Sequence, residues 1–356
     1  MITCSHCETL PGLLPDRGTL YIAPPLNHTL ENLRNFLEKS GILSSSPHPE
    51  ILAIPLVPGR LHQLSVEFSN LLSQAEMQDS KSLVVAEGVT PTLFELMQMQ
   101  SLSTLISRVQ GEWLIEMLLE ERLITHFQPI ISCTPPHKIF AYECLLRGKE
   151  RDGKLIYPDR IFNAGRTSGL LFYLDRDARL TTIRNIVDYQ LTCPVFINFN
   201  PSSIYDPKYC LRTTLEAVKA ANIRPEYIVF EVVESEEVKD LQHLLKILSF
   251  YRNFGFRIAL DDLGAGYSSL NLLPQLRPDF VKLDMELIRE VDGDPYKAII
   301  ASKLIEMARD LNIKIIAEGI ESEGEWHWVK EHGVDYAQGY FFSRPECPPP
   351  LPRIPE

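Results

Sequence analysis

From about residue 125 onward the chain alternates short apolar runs with longer amphipathic stretches, and this rhythm constrains the fold more than any other feature. Runs at His126–Ser132, Phe140–Leu146, Val195–Asn200, Tyr227–Val233, Arg257–Asp262, Phe280–Asp284, Lys314–Glu318 and Ala337–Phe341 predict strands. Between most of them lie segments with helical spacing, such as Asp175–Tyr189, Val238–Phe254 and Tyr296–Leu311. Repeated strand–helix units of this kind fold as a closed parallel barrel or as a doubly wound sheet, both of the α/β class.

The polar residues on these strands fall at particular places. Glu143 interrupts an apolar run, and Asn198, Glu231 and the pair Asp261-Asp262 lie near the ends of theirs. Lys282, Glu318 and Gln338 follow short apolar runs in the same way. A charged group at the end of a buried strand is costly unless it is paired or binds metal. One is an ordinary structural polar group; seven strands carrying such residues indicate a site, because barrel strands converge at one end. Carboxylates with one Asn, and neither His nor Cys, favour a hard cation such as Mg²⁺ or Mn²⁺ over zinc. Adjacent Asp261 and Asp262 suit two nearby ions, the usual apparatus for attack of water on a phosphodiester, with Lys282 holding that water.

The rest of the chain organises around this region. Residues 1–90 read as a small α/β domain, regulatory or sensory, with strands at Thr19–Ala23, Ile51–Leu56 and Ser82–Ala86 and helices from Thr29 and Leu61. Ser44–Pro49 reads as a turn-rich break. Residues 91–124 read as a connecting helical segment with a possible break at Gly111, 125–346 as the barrel, and 347–356 as a proline-rich tail. No apolar run approaches the roughly 20 residues that span a bilayer, and the N-terminus lacks a signal-peptide layout. The expected location is therefore the cytoplasm. A net charge of −12 argues against binding polymeric nucleic acid. Seven cysteines, an odd number, read as reduced thiols. Cys4 and Cys7 are either half of a zinc site or unpaired thiols.

At the polar strand ends the sequence resembles a known family. Tyr142-Glu143-Cys144-Leu145-Leu146-Arg147-Gly148 resembles the signature of EAL domains, with Cys144 where Ala is usual. In family order follow Phe196-Ile197-Asn198, Phe230-Glu231-Val232-Val233-Glu234-Ser235, Asp261-Asp262-Leu263-Gly264-Ala265-Gly266, Lys282-Leu283-Asp284, Ala317-Glu318-Gly319-Ile320-Glu321 and Gln338-Gly339-Tyr340-Phe341. The resemblance covers about residues 112–346. It implies a TIM-like (β/α)8 barrel that hydrolyses the bacterial second messenger cyclic di-GMP to linear pGpG, with two Mg²⁺ or Mn²⁺ ions, as a homodimer.

Carried over by position, Glu143, Asn198, Glu231 and Asp261 would ligate the first ion, and Asp261 and Asp262 the second. Lys282 would contact the nucleophilic water. Glu318 would support the second ion or accept a proton. Gln338 would orient water or ligands, Gln128, Leu145 and Arg147 would touch the dinucleotide, and Glu234 would steady the loop after Asp262. Cys144 is either tolerated or redox-sensitive, and Glu321 is either a supporting carboxylate or a helix N-terminal charge. His126, His137, His243, His327 and His332 show no metal-ligand spacing. The rival to an active enzyme is a silent cyclic di-GMP receptor, or a scaffold whose N-terminal domain binds an unknown protein or ligand. The presence of every metal-ligand position favours turnover.

Overall fold

The computed structural model describes residues 9–97, 99–232, 240–264 and 269–354. They group into two compact units. One comprises Leu123–Tyr157 and the chain from Asp175 onward; the other comprises the residues up to Arg122 together with Pro158–Leu174. The segment Pro158–Leu174, inside the span read from sequence as barrel, thus groups with the smaller unit.

The smaller unit is built on β1 (Gly18–Ala23), β2 (Ser45–His48), β3 (Ile51–Leu56), β4 (Lys81–Ala86) and β5 (Gln100–Ser101), in the order β2-β3-β1-β4-β5. Every pairing is antiparallel, and the helices Asn27–Lys39 and Arg60–Leu71 intervene as in a ferredoxin-like split βαβ arrangement. The period-2 residues Leu20 and Ile22 of β1 are buried with Leu52, Ile54 and Leu56 of β3. Leu30, Leu33 and Leu37 supply one helical stripe, and Leu61, Leu64 and Phe68 the other. Where the sequence reads as a turn-rich break, Ser45–His48 forms a strand with all four residues exposed. An edge strand without a buried face leaves no hydrophobic alternation to read, and the edge also tolerates Pro47.

Among the described residues of 91–124 are three short helices, Leu93–Met97, Leu102–Gln110 and Glu112–Leu119, the last two meeting at Gly111. The helix Pro158–Thr167 packs against the latter two, with the Arg160 guanidinium over the Trp113 ring.

The larger unit contains β6 (Leu123–Ser132), β7 (Ile139–Lys149), β8 (Leu155–Ile156), β9 (Val195–Asn198), β10 (Ile228–Val232), β11 (Arg257–Leu263), β12 (Phe280–Leu283), β13 (Lys314–Ala317) and β14 (Tyr336–Ala337). Its order is β6-β14-β13-β12-β11-β10-β9-β7, closed by pairing of β6 with β7, so eight strands form a barrel; β8 is a short addition to β7. Seven barrel strands run parallel. β6 runs antiparallel to both its neighbours, because only residues 133–138 join it to β7, and a parallel return needs a dozen residues or more. The strand read as Ala337–Phe341 is the two-residue β14 followed by a tight turn.

Alternation sorts the barrel residues into two layers. Val195, Ile197, Ile228, Phe230, Ile258, Leu260, Val281 and Leu283 point outward into the core shared with helices such as Leu241–Asn253 and Pro295–Asp310. Ile130, Ala141, Phe196, Val229, Ala259, Phe280 and Ile316 point inward and form a separate buried cluster, with Tyr336 packed against it.

The helix Gln74–Asp79 depends on a capping box. Glu76 Oε2 accepts from Ser73 N–H and Oγ–H at 2.9 and 2.8 Å, and Oε1 accepts from Thr29 Oγ–H at 2.7 Å. These bonds hold the Glu76 carboxyl down at about 2. Ser73→Ala is expected to cost this helix about 1 kcal/mol, read as faster amide hydrogen exchange across residues 74–79 at pH 7. Unchanged exchange would mean that packing, not the cap, holds the helix.

Candidate active site

The inward apolar layer locates the site. Two residues beyond each of its members, toward the C-terminal ends of the parallel strands, stand Glu143, Asn198, Glu231, Asp261, Lys282, Glu318 and Gln338, counted from Ala141, Phe196, Val229, Ala259, Phe280, Ile316 and Tyr336. On the reversed strand β6 the count runs backward, from Ile130 to Gln128, which pairs directly opposite Glu143. One residue per strand therefore forms a second, polar layer on the apolar one.

Lys282 lies at the centre of this layer. It is 1% exposed, and its Nζ is 2.8 Å from Glu318 Oε1, 3.0 Å from Glu231 Oε1, 3.1 Å from Asp261 Oδ1 and 3.4 Å from Glu143 Oε1. Burial alone would push the ammonium toward neutrality. The carboxylates of Asp261, Glu143, Glu231 and Glu318 outweigh it and raise the Lys282 pKa well above its usual value. The outer contacts fix the acids in place: Asn198 Nδ2–H donates to Glu231 Oε2 at 3.1 Å. Gln338 Nε2–H donates to Glu143 Oε2 at 2.5 Å and to Gln128 Oε1 at 2.9 Å.

Asp262 is the one site residue that breaks the alternation, since neighbours on a regular strand face opposite ways. A bulge resolves this. Between the pairs Leu260–Val281 and Leu263–Leu283, the two aspartates of β11 oppose the single residue Lys282 of β12. Asp262 sits in the left-handed region at φ 55°, and its N–H donates to Asp261 Oδ1 at 3.0 Å. Both carboxylates are thereby brought together with Glu318, one oxygen from each of the three lying within 4.8 Å of the others.

Five carboxylates face one ammonium, and burial together with the neighbouring like charges raises the proton affinity of Glu231, Asp262 and Glu318. Burial, with Asp261 and Glu143 nearby, pushes Glu318 up to about 8 against the pull of Lys282. Burial and Asp261 push Asp262 up to about 6. Burial raises Glu231 well above the carboxylate range. Glu231 Oε1 and Gln338 Oε1 are buried without a hydrogen bond, although Glu231 Oε1 keeps its ion-pair contact with Lys282. Divalent hard cations coordinate unused oxygen lone pairs and supply the missing positive charge, so the donor set fits Mg²⁺ or Mn²⁺.

The other expected positions fall around this layer. Arg147, four residues further along β7 than Glu143, is buried, with its guanidinium over the Tyr157 ring and Nη1–H donating to Leu146 O at 2.7 Å. Leu145 is half-buried between the two. Glu321 pairs with Arg289 at 3.3 Å on the surface. The carboxylate its neighbourhood relies on is Glu325, which accepts from Glu290, Glu321 and Ser322 N–H. Cys144 faces outward and is buried, and desolvation raises its pKa well above the usual thiol value. All five histidines noted in the sequence meet a backbone carbonyl through a ring nitrogen. Glu234, Ala265, Cys4 and Cys7 lie outside the described residues.

A family model described as "EAL domain" matches residues 112–345. The chain belongs to the EAL domain family. Among curated relatives of this EAL chain, the probable cyclic di-GMP phosphodiesterase PdeB of Escherichia coli is 32% identical over 225 residues, covering 62% of this chain and 42% of PdeB. The chain thus spans less than half of that relative's length. A standalone EAL protein from Vibrio cholerae O395, solved with c-di-GMP bound, is 36% identical with a TM-score of 0.59, covering 65% of this chain and 95% of that one. The manganese/cyclic di-GMP complex of Klebsiella pneumoniae BlrP1 aligns over 93% of this chain and 96% of its own, with a TM-score of 0.57; at 22% identity that likeness shows the fold alone.

The raised carboxyl groups fix a sign for the pH dependence of the metal-free EAL barrel. Glu318 and Asp262 titrate higher when folded than their usual 4.5 and 3.8, so folding takes up protons. Their contribution is full below about pH 4 and is lost as pH rises through 6 and then 8. Urea denaturation in EDTA is expected to give lower stability at pH 8 than at pH 6, with Mn²⁺ closing the gap. A gap that persists in saturating Mn²⁺ would contradict this origin.

Proposed function

We propose that this chain is a cyclic di-GMP phosphodiesterase whose metal-dependent attack of water yields linear pGpG. The observation that carries this reading is the polar layer in which Glu143, Glu231, Asp261 and Glu318 surround the buried Lys282 ammonium. Glu143, Asn198, Glu231 and Asp261 would hold one cation, and Asp261, Asp262 and Glu318 a second. When bound, such ions supply Lewis-acid polarisation of a phosphoryl oxygen and a water acidified toward neutral pH.

The chain's own residues do the remaining work. Lys282 would donate to the attacking water and fix its position, while its buried charge offsets that of the phosphodiester. Glu318, raised by burial among like charges, would accept the water's proton. Gln338 would keep Glu143 in one orientation through the amide hydrogen bond that joins them. Arg147 would present its planar guanidinium to a phosphate oxygen, and Gln128 and Leu145 would contact the rest of the dinucleotide. Glu234 would steady the loop after Asp262.

Relatives named as c-di-GMP phosphodiesterases and the c-di-GMP-bound Vibrio cholerae structure support this substrate. The cytoplasm is the expected location, which the free thiols Cys133, Cys144, Cys193, Cys210 and Cys347 support; among the described residues no helix is long and apolar enough to cross a membrane. A homodimer follows from the resemblance, and the smaller unit would receive the protein or ligand that regulates turnover.

Purified protein with cyclic di-GMP and Mn²⁺ or Mg²⁺ is expected to release pGpG, and EDTA to stop it. Glu143→Ala is expected to lower the rate at least about 100-fold, the scale for losing one preorganised electrostatic contact. Tight binding of cyclic di-GMP without product would instead make the barrel a receptor, and neither binding nor cleavage would overturn the substrate.

A further inference from the structure

Among the described residues of the larger unit, a second buried ion pair lies outside the polar layer. Asp175 and Arg179, one turn apart on the helix Leu171–Asp188, are each 2% exposed, and Arg179 Nη1–H donates to Asp175 Oδ2. A buried pair of this kind gives little net stability compared with apolar packing, so its other contacts indicate what it does. Asp175 Oδ1 accepts the N–H of Asn200 at 3.0 Å, and Oδ2 accepts from Ser203 Oγ–H at 2.5 Å. Arg179 Nε–H in turn donates to Thr214 Oγ at 3.2 Å. The carboxylate therefore grips the chain immediately after β9, whose last residue is Asn198.

Asn198 needs such a grip. β9 has four residues, and its paired register with β10 ends at Asn198–Glu231. Beyond that point the chain leaves the sheet into the one-turn helix Pro201–Ser203, where the Asn200 side chain accepts Ser202 N–H at 2.8 Å. Phe199 N–H still reaches Glu231 O at 3.4 Å, and the next ties on the chain that carries the Asn198 amide are those of Asn200 and Ser203 to Asp175.

We propose that Asp175, held by Arg179, is a positioning residue for the metal cradle, setting Asn198 through the Asn200 N–H and the Ser203 hydroxyl. This rests on the metal-binding reading of the polar layer. Contacts that orient a metal ligand typically carry about 10- to 100-fold in metal affinity.

The test is Mn²⁺ binding to metal-stripped full-length protein by titration calorimetry, with thermal unfolding followed in parallel. Asp175→Asn removes the charge while keeping the shape, and is expected to raise the Mn²⁺ Kd at least about tenfold. Ser203→Ala removes a single tie and is expected to raise it by a smaller factor, about threefold, which keeps the proposal testable if the uncompensated Arg179 prevents Asp175→Asn from folding. Asp335→Asn is the control, because Asp335 also braces a barrel strand, accepting Ile315 N–H at 3.0 Å at the N-terminal end of β13. It is expected to lower the Tm without moving the Mn²⁺ Kd. A Kd within twofold of wild type in both folded variants, or in Ser203→Ala alone if Asp175→Asn does not fold, would reduce the pair to a structural brace. Absence of Mn²⁺ binding by the wild-type protein would overturn the metal reading itself, and this role with it.

Discussion

The Lys282 ammonium, 1% exposed inside a barrel, exists only because four carboxylates converge on it, and they converge only because each strand places its residue at one height. Neither side is stable alone. Removing the lysine would leave mutually repelling acids in a medium of low dielectric, and removing the acids would leave an unpaid buried charge. The balance is still incomplete, with Glu318 and Asp262 raised to about 8 and about 6. Five carboxylates against one ammonium leave an excess of negative charge that divalent cations would offset. The site trades stability for function in the way that places where charge must be concentrated usually do.

Two departures from a regular barrel serve that layer. The reversal of β6 places Gln128 directly across from Glu143, so that Gln338 can bind both at once. The bulge at Asp261-Asp262 turns a strand that would offer one carboxylate into one that offers two. Close approach of loops completes the rim: a side chain on Gly339 would meet Ile320 O at 2.0 Å, where the loops after β13 and β14 join through Ile320 N–H to Gln338 O and Phe341 N–H to Ile320 O.

Seven of the barrel strands were legible in the sequence, because buried strands give apolar runs whatever surrounds them; the eighth was read as Ala337–Phe341, of which only Ala337 belongs to β14. The polar residues at their ends were legible for the same reason, as interruptions of those runs. The reversal of β6 was not read, although the short connection to β7 carried the signal. The bulge was hidden because Asp-Asp at a strand end says nothing of φ at Asp262. Asp175 and Arg179 lay inside a segment read as amphipathic, where an i, i+4 acid–base pair looks like a solvated face; only burial separates it from one. Glu321 drew notice by its place in a motif, while Glu325, which accepts three backbone N–H groups, resembled an ordinary helix charge.

The account's central claim is that the polar layer is a cradle for divalent cations. Anomalous difference density from a crystal of the full chain grown with Mn²⁺ tests it most directly. The account predicts manganese peaks within coordination distance of Asp261, with Glu143, Asn198 and Glu231 on one side and Asp262 and Glu318 on the other. An empty layer with Lys282 still bound to all four carboxylates, at Mn²⁺ concentrations that support turnover, would contradict it.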